Sequence, residues 1–499
     1  MNSEAETQSG AVRNPQSEEA GHPAGGTNDE PSRTAGETND ERERTSGGAK
    51  KDVTDFSKGP VWKAVIRQAI PLTVAQLIHL LYNVVDRVYI GHMGDETSIA
   101  LTGVGLTFPI VTLLMAFAAL FGVGGVPLFS MARGAGDVKK AGRILGNSFA
   151  LLCISSVAVA AVCYAFMRPI LFAFGASEES FVFAREYLNV YLVGTAFTML
   201  STGLNGYINA QGFPRVGMLS IVIGALLNIA LDPLFIFTFR MGIRGAAVAT
   251  VISQAVSAAW ILRFLTGPKA IVPLKRDHIR LEGDIIKGIA KLGTVNFIMQ
   301  GTNCLVQVVS NATLQSYGGD LYVGVMTVTN SVREIFQLAV SGLTTGALPV
   351  ISFNYGAKLY DRVKQGIRFN AILGASYTVL AWIVVFLFPG VWFGMFSDDP
   401  ELAAVGIPML KIYFFAFMFM SFQHAGQSAF QAVGDARHAI TFSLLRKAVI
   451  VVPLTILLPR LGLGVSGVFW AEPISNVIGG TACFVTMYLT VYRKLGKQS

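Results

Sequence analysis

The chain is a succession of apolar runs, each long enough to cross a bilayer and too closely spaced to leave water-soluble domains between them. A spanning helix needs ~20 mostly apolar residues. Such runs lie near 62–91, 101–131, 143–167, 186–211, 216–239 and 245–266. A second set lies near 290–315, 322–352, 366–391, 403–432, 438–459 and 466–491. With 14% charged residues, against ~25% in soluble domains, an ordinary cytosolic enzyme is excluded. The expected fold is an all-α polytopic membrane protein of twelve transmembrane helices in two six-helix lobes.

Residues 1–58 are different material, poor in large apolar side chains and carrying 12 acids against 7 bases. Such a segment buries too little surface to offset its chain entropy, so a disordered cytoplasmic tail is expected there. The N-terminal lobe is then 59–266, a basic cytoplasmic linker 267–289, and the C-terminal lobe 290–499. The linker carries Lys269, Lys275, Arg276, Arg280 and Lys287. Loops with Arg133, Lys139, Lys140 and Arg143, with Arg215, and with Lys358, Arg362, Lys364 and Arg368 are likewise basic. The intervening loops carry Asp95 and Glu96, Glu178 and Glu179, Asp320, and Asp398, Asp399 and Glu401; only the Arg240–Arg244 loop breaks the alternation. By the positive-inside tendency, both termini face the cytoplasm.

The two halves repeat at a fixed offset of 222 residues. Pro127 falls on Pro349, Ser130 on Ser352, Gly134 on Gly356, Tyr191 on Tyr413, and Arg215 on Arg437. Gly242 and Gly245 then fall on Gly464 and Gly467, and Ser253 on Ser475. Six spans per copy is an even number, so both copies enter the membrane in the same sense. Parallel repeats of this kind build carriers whose halves rock about a central cavity.

Acids inside spans cost ~2.5–3.5 kcal/mol on insertion scales and mark pathways or coupling sites. Asp86, Asp232, Glu334 and Glu472 qualify. Asp86 and Asp232 both lie roughly 8–12 Å below the outer end of their helices at 1.5 Å per residue. Asn228 projects from the same face as Asp232, and Thr250, descending from outside, reaches a similar depth. Two carboxylates, an amide and a hydroxyl suit a proton or Na⁺ alike. Pro71 weakens the first helix fifteen residues earlier, and Tyr82 lies one turn before Asp86. Glu334 sits beside Arg333. Glu472 occupies the repeat position of Thr250, and both acids are candidates for a site in the C-terminal lobe. Arg446 and Lys447, early in the eleventh span, are expected to snorkel to the inner surface.

No GxxxxGK[ST] phosphate loop, nucleophile elbow or metal spacing occurs, so direct ATP use and enzymatic catalysis have no supporting residues. The four cysteines lie in apolar runs without CxxC spacing, which argues for buried thiols rather than disulfides. Basic residues sit in loops without interleaved aromatics, so no nucleic-acid partner is expected.

The stretch from Pro71 through Tyr82-Asn83-Val84-Val85-Asp86 resembles the multidrug and toxic compound extrusion (MATE) transporters. So do the runs Asn228 to Phe235 and Gly242 to Thr250, and the resemblance covers about residues 59–495. It implies a secondary antiporter that exports organic, often cationic compounds against H⁺ or Na⁺; a monomer with no other cofactor is expected. It places the cation site on Asp86, Asn228, Asp232 and Thr250, makes Pro71 the bend of the first helix, and puts Tyr82 and Asn205 at the drug cavity. The seventh span carries Gln300, Asn303, Gln307 and Asn311 but no acid, and Phe422 stands about where one branch has a tenth-span acid. That pattern resembles the branch of DNA-damage-inducible and MepA-like bacterial proteins, and so implies an inner-membrane location. The rival reading is a flippase for a lipid-linked glycan, which would line its cavity with Arg and Lys for a pyrophosphate.

Overall fold

The computed structural model describes residues 54–90, 97–396 and 399–496, without the side chains of a few residues between 83 and 102. The segment 1–53, the loop charges Asp95, Glu96 and Asp398, and the Arg87 side chain lie outside the described residues. All regular elements among those described are helices. They make twelve spans: α1 (Val61–Ile90), α2 (97–134), α3 (Val138–Ala165), α4 (178–210), α5 (Pro214–Thr238) and α6 (Gly242–Thr266), then α7 (283–318), α8 (320–356), α9 (Tyr360–Leu387), α10 (400–432), α11 (436–461) and α12 (464–495). A break at Gly319, with φ +66°, separates α7 from α8. Breaks at Gly194 and near 415–417 divide α4 and α10, the latter bending by 41°.

Helix limits repeat with the same offset as the sequence. α3 begins at Val138 and ends at Ala165, and α9 begins and ends 222 residues later, at Tyr360 and Leu387. Glu178 and Pro400, Pro214 and Ala436, and Gly242 and Gly464 are likewise paired helix starts. Left-handed turn residues pair too: Gly212 (φ +91°) with Gly434 (+83°), and Gly136 (+79°) with Lys358 (+58°).

Lobe-to-lobe packing lies at the end that carries the basic loops. One buried cluster joins Val61, Val65 and Ala69 of α1 to Leu292, Val295, Leu343 and Ile351 of α7 and α8. At the other end the clusters separate, one wholly within the C-terminal lobe around Phe336, Phe393 and Phe414, the other wholly within the N-terminal lobe around Leu114, Tyr187 and Leu188. The halves therefore meet at one end and part at the other.

The junction is made of glycines. A Cβ on Gly134 would land on the Phe353 carbonyl, and one on Gly356 would land on the Met131 carbonyl. These contacts are reciprocal across the 222-residue offset, the signature of a pseudo-twofold axis. Gly124 faces Gly293, with 2.5 Å left for a Cβ, and its repeat mate Gly346 faces Ala69, with 2.7 Å left.

Residues 54–58 were expected to belong to the disordered tail, and the structure corrects that boundary. Phe56 is fully buried, edge-on to Phe353 at 5.7 Å and under the Arg133 guanidinium at 5.3 Å. Its carbonyl accepts from Asn354 Nδ2 (3.1 Å) and Arg362 Nη2 (2.9 Å) in the C-terminal lobe. The Thr54 amide donates to the Gly212 carbonyl (2.9 Å) in the N-terminal lobe. A few residues of strap thus hold both lobes. Partial burial pushes the Asp55 carboxyl up, but Ser57, Lys58 and Arg133 outweigh it and hold the group below the usual carboxylate range. Its contribution is present above the unfolded pKa and lost only as pH falls through the lower folded value.

The linker also differs from expectation. α7 starts at Gly283 rather than near 290, and the preceding chain is packed. The Val272 amide donates to Gln211 Oε1 (2.9 Å), and the Glu282 amide donates to Asn147 Oδ1 (2.9 Å). The linker is therefore bound to the N-terminal lobe.

Two outcomes follow from this geometry. Lys358→Gly removes the side chain from a left-handed turn where the repeat mate is glycine, and should raise stability by up to about 1 kcal/mol, read as a higher Tm. Gly134→Leu should pry the basic end apart. With spin labels at positions 175 and 394 in a cysteine-free background, the distance at the opposite end should shorten; an unchanged distance would mean the junction does not set the spacing of the lobes.

Candidate functional site

Helix α5 carries Asn228 and Asp232 one turn apart, both buried, as are the small residues Gly217, Ser220, Gly224 and Ala225 earlier on the helix. Asn228 Nδ2 donates to Asp232 Oδ1 at 3.2 Å and to Thr250 Oγ1 at 3.5 Å. Thr250, on α6, donates to the Ala246 carbonyl at 3.0 Å, a back-bond that aims its lone pairs at Asn228. Asp86 approaches from α1 and is in electrostatic contact with Asp232, Tyr82 and Tyr187. The four residues expected to form a cation site are thus brought together. Pro233 follows Asp232 and opens a wide π-turn over Leu234–Thr238, a distortion frequent at functional sites.

Asp232 Oδ2 and Asn228 Oδ1 are enclosed and have no hydrogen-bond partner. An enclosed polar oxygen without a partner is costly; a cation such as Na⁺ would relieve both oxygens, and a proton on the carboxylate would relieve Asp232. The donor set is all oxygen and fits a hard cation.

Tyr82 is edge-on to His79 at 4.9 Å and belongs to the same constellation. Pro71 lies inside α1, about three turns before Tyr82, between Ala69 and Thr73, the residues that face Gly346 and Gly342 of α8. Asn205, expected at the drug cavity, is buried and its amide is committed within the lobe. Its Nδ2 donates to the Gly217 carbonyl and Ser220 Oγ, both at 2.8 Å, and its Oδ1 accepts from Asn209 at 2.9 Å. It clamps α4 to α5. Sequence reasoning missed Tyr187 and Tyr191, whose rings stack at 5.6 Å beside Asp86 and Thr250. The only signal was the pairing of Tyr191 with Tyr413 across the repeat.

In the C-terminal lobe the repeat position of Thr250 holds Glu472, 5% exposed. Lys447 Nζ donates to both its carboxylate oxygens, at 3.0 and 3.1 Å, and Arg446 Nη2 stands 3.6 Å away. Arg446 also donates to Asn476 Oδ1. Snorkelling was expected for these two bases, and the structure overturns it: both point inward, because the carboxylate and amide of α12 are nearer than the surface. Glu472 is thus internally neutralised, whereas Glu334 is exposed on α8. Gln300, Asn303 and Gln307 form an exposed stripe on α7, and Phe422 packs against Phe419 and Phe484.

Lys447→Met should destabilise the fold by about 1.5–3 kcal/mol, because the buried Glu472 carboxylate loses both hydrogen bonds from Lys447 and keeps only Arg446, at 3.6 Å. Lys447→Met with Glu472→Gln should recover most of that loss in a thermal-shift measurement. If the single and double variants melt together, the pair is not the source of the cost.

The MatE family model matches residues 71–234 and 297–457, one stretch in each lobe. A multidrug export protein MepA of Staphylococcus saprophyticus is 25% identical over 436 residues, covering 87% of this chain and 95% of its own. A MepA of Staphylococcus aureus is 26% identical over 434 residues with the same coverage. Among solved structures, the outward-facing conformation of a multidrug resistance MATE family transporter superposes with a TM-score of 0.83 at 23% identity, over 89% of this chain and 98% of its own. The chain belongs to the MATE family of multidrug export transporters.

Proposed function

We propose that this protein is a secondary antiporter that exports lipophilic organic compounds, many of them cationic, in exchange for H⁺ or Na⁺. It works by alternating access in a cell (inner) membrane, as a monomer with both termini and the glycine junction on the cytoplasmic side. One observation carries the reading: Asp86 and Asp232 share an enclosed site with Asn228 and Thr250, and two oxygens there lack protein partners. The multidrug export named for the staphylococcal relatives is consistent with it.

In this mechanism a cation enters from the end where the lobes part and satisfies Asp232 Oδ2 and Asn228 Oδ1. The two carboxylates titrate or load as a pair. Occupancy removes the repulsion between α1, which carries Asp86, and α5, which carries Asp232, so α1 settles differently against α8. The glycine contacts of α1 with α8 lie on that same helix, so loading and lobe closure act on one element. A ligand shifts this equilibrium only by its differential affinity for the two states.

The test is efflux of rhodamine 123, a lipophilic cation, from proteoliposomes under separately imposed proton and sodium gradients. Efflux should follow one gradient, and Asp86→Asn and Asp232→Asn should each reduce it to the level of empty liposomes while leaving folding intact. Thr250→Val, which removes one hydroxyl worth about 1 kcal/mol, should raise the half-saturating concentration of the driving cation several-fold. Normal uphill transport by both Asn variants would move the coupling site elsewhere.

One observation favours the flippase reading in part. Arg333, Arg446 and Lys447 form a basic group inside the C-terminal lobe, where a lipid pyrophosphate would need it. The same group also serves an exporter, as argued next.

A further inference from the structure

The C-terminal lobe holds more positive than negative charge in its interior. Arg446 and Lys447 are 8% and 6% exposed and share one carboxylate, Glu472, at 5%. Arg333, from α8, adds a third base, in electrostatic contact with Tyr413 of α10 and with Glu472 of α12. His424 of α10 sits among all three bases. Glu334, next to Arg333 in sequence, also attracts it electrostatically, but its own carboxylate is exposed rather than enclosed. Even with the Lys447 amine neutral, two guanidiniums face one enclosed carboxylate.

The disposition of the donors matters as much as their number. Lys447 is committed to Glu472 through both carboxylate oxygens, and Arg446 is held by Asn476. Arg333 is not so committed: its Nε is enclosed and has no hydrogen-bond partner, while the side chain as a whole keeps partial accessibility. Since its neighbours belong to α10 and α12, that access is from within the bundle rather than from lipid. A guanidinium with a spare donor, next to an excess of positive charge in a low-dielectric interior, is a receptor for a planar oxyanion.

We propose that Arg333, backed by Arg446 and Lys447, is a binding subsite for the anionic group of a substrate, of which an organic carboxylate is the best-fitting class. The inference rests on the exporter reading above and names part of its substrate range. The N-terminal lobe presents an acidic pair, Asp86 and Asp232, and the C-terminal lobe a basic group. A zwitterionic amphiphile has one pole for each.

The test uses two dyes that differ at a single group. Rhodamine 110 carries a free carboxylate, and rhodamine 123 is its methyl ester. Binding to the purified full-length transporter is read by fluorescence anisotropy, independently of transport. Arg333→Gln should weaken rhodamine 110 binding ~10-fold, as expected for one charge-assisted contact, and leave rhodamine 123 binding unchanged. Arg333→Lys, which keeps the charge but loses the fork, should restore part of the affinity. Equal effects on the two dyes, or none, would overturn the subsite whether or not either dye is transported. Failure of rhodamine 123 efflux with the selective binding loss intact would instead count against the exporter reading alone. Geranyl pyrophosphate, added as competitor, separates the sources of the anion. Weak displacement of rhodamine 110 supports a carboxylate-bearing small molecule. Displacement at far lower concentration than the dye's own dissociation constant would overturn that assignment in favour of a lipid pyrophosphate.

Discussion

The two lobes come closest where glycine leaves one backbone bare. Gly134 and Gly356 each bring a backbone against the other lobe's carbonyl, and Gly124 and Gly346 repeat the contact between α2 and α7 and between α8 and α1. In lipid, helices gain little from apolar burial against each other, so close backbone approach is the main source of attraction. Such a contact is tight when made and weak when slightly opened, because dispersion falls off within an ångström. It is therefore a contact with two states, which a carrier needs more than it needs strength.

The same architecture carries opposite electrostatics in its two copies. In the N-terminal lobe, Thr250 faces an amide and a carboxylate with unsatisfied oxygens. In the C-terminal lobe its repeat mate Glu472 faces Lys447, whose ammonium is covalently part of the chain. One copy has the enclosed, unpartnered oxygens that the proposed cation would fill, and the other is already paired with an ammonium of its own. The helices repeat between the halves, and a few inward-facing positions give the two copies opposite charge.

Much of this was legible in the sequence. The 222-residue offset predicts helix limits that the structure repeats, from Val138 and Tyr360 to Gly242 and Gly464. The convergence of Asp86, Asn228, Asp232 and Thr250 followed from depth along helices whose direction the loop charges gave. What was not legible depends on which way a side chain turns. Arg446 and Lys447 look like snorkelling bases in one dimension, and only the position of α12 shows that an acid lies closer than the interface. The clamp made by Asn205 was hidden for the same reason, since its amide turns to Gly217 and Ser220 of the neighbouring helix. Phe56 sits in a polar tail whose composition argues against order, and its burial depends on a pocket built from residues as distant as Phe353 and Arg362.

The strap that Phe56 anchors has a mechanical consequence. Its amide end is bonded to the turn after α4 and its carbonyl end to the last turn of α8 and to α9. When the lobes separate at the basic end, one set of those bonds must release. Each is worth about 1 kcal/mol, so the strap acts as a latch whose strength biases the resting population of the two conformers by roughly an order of magnitude. Whatever pulls on the preceding 53 residues of the chain pulls on that latch.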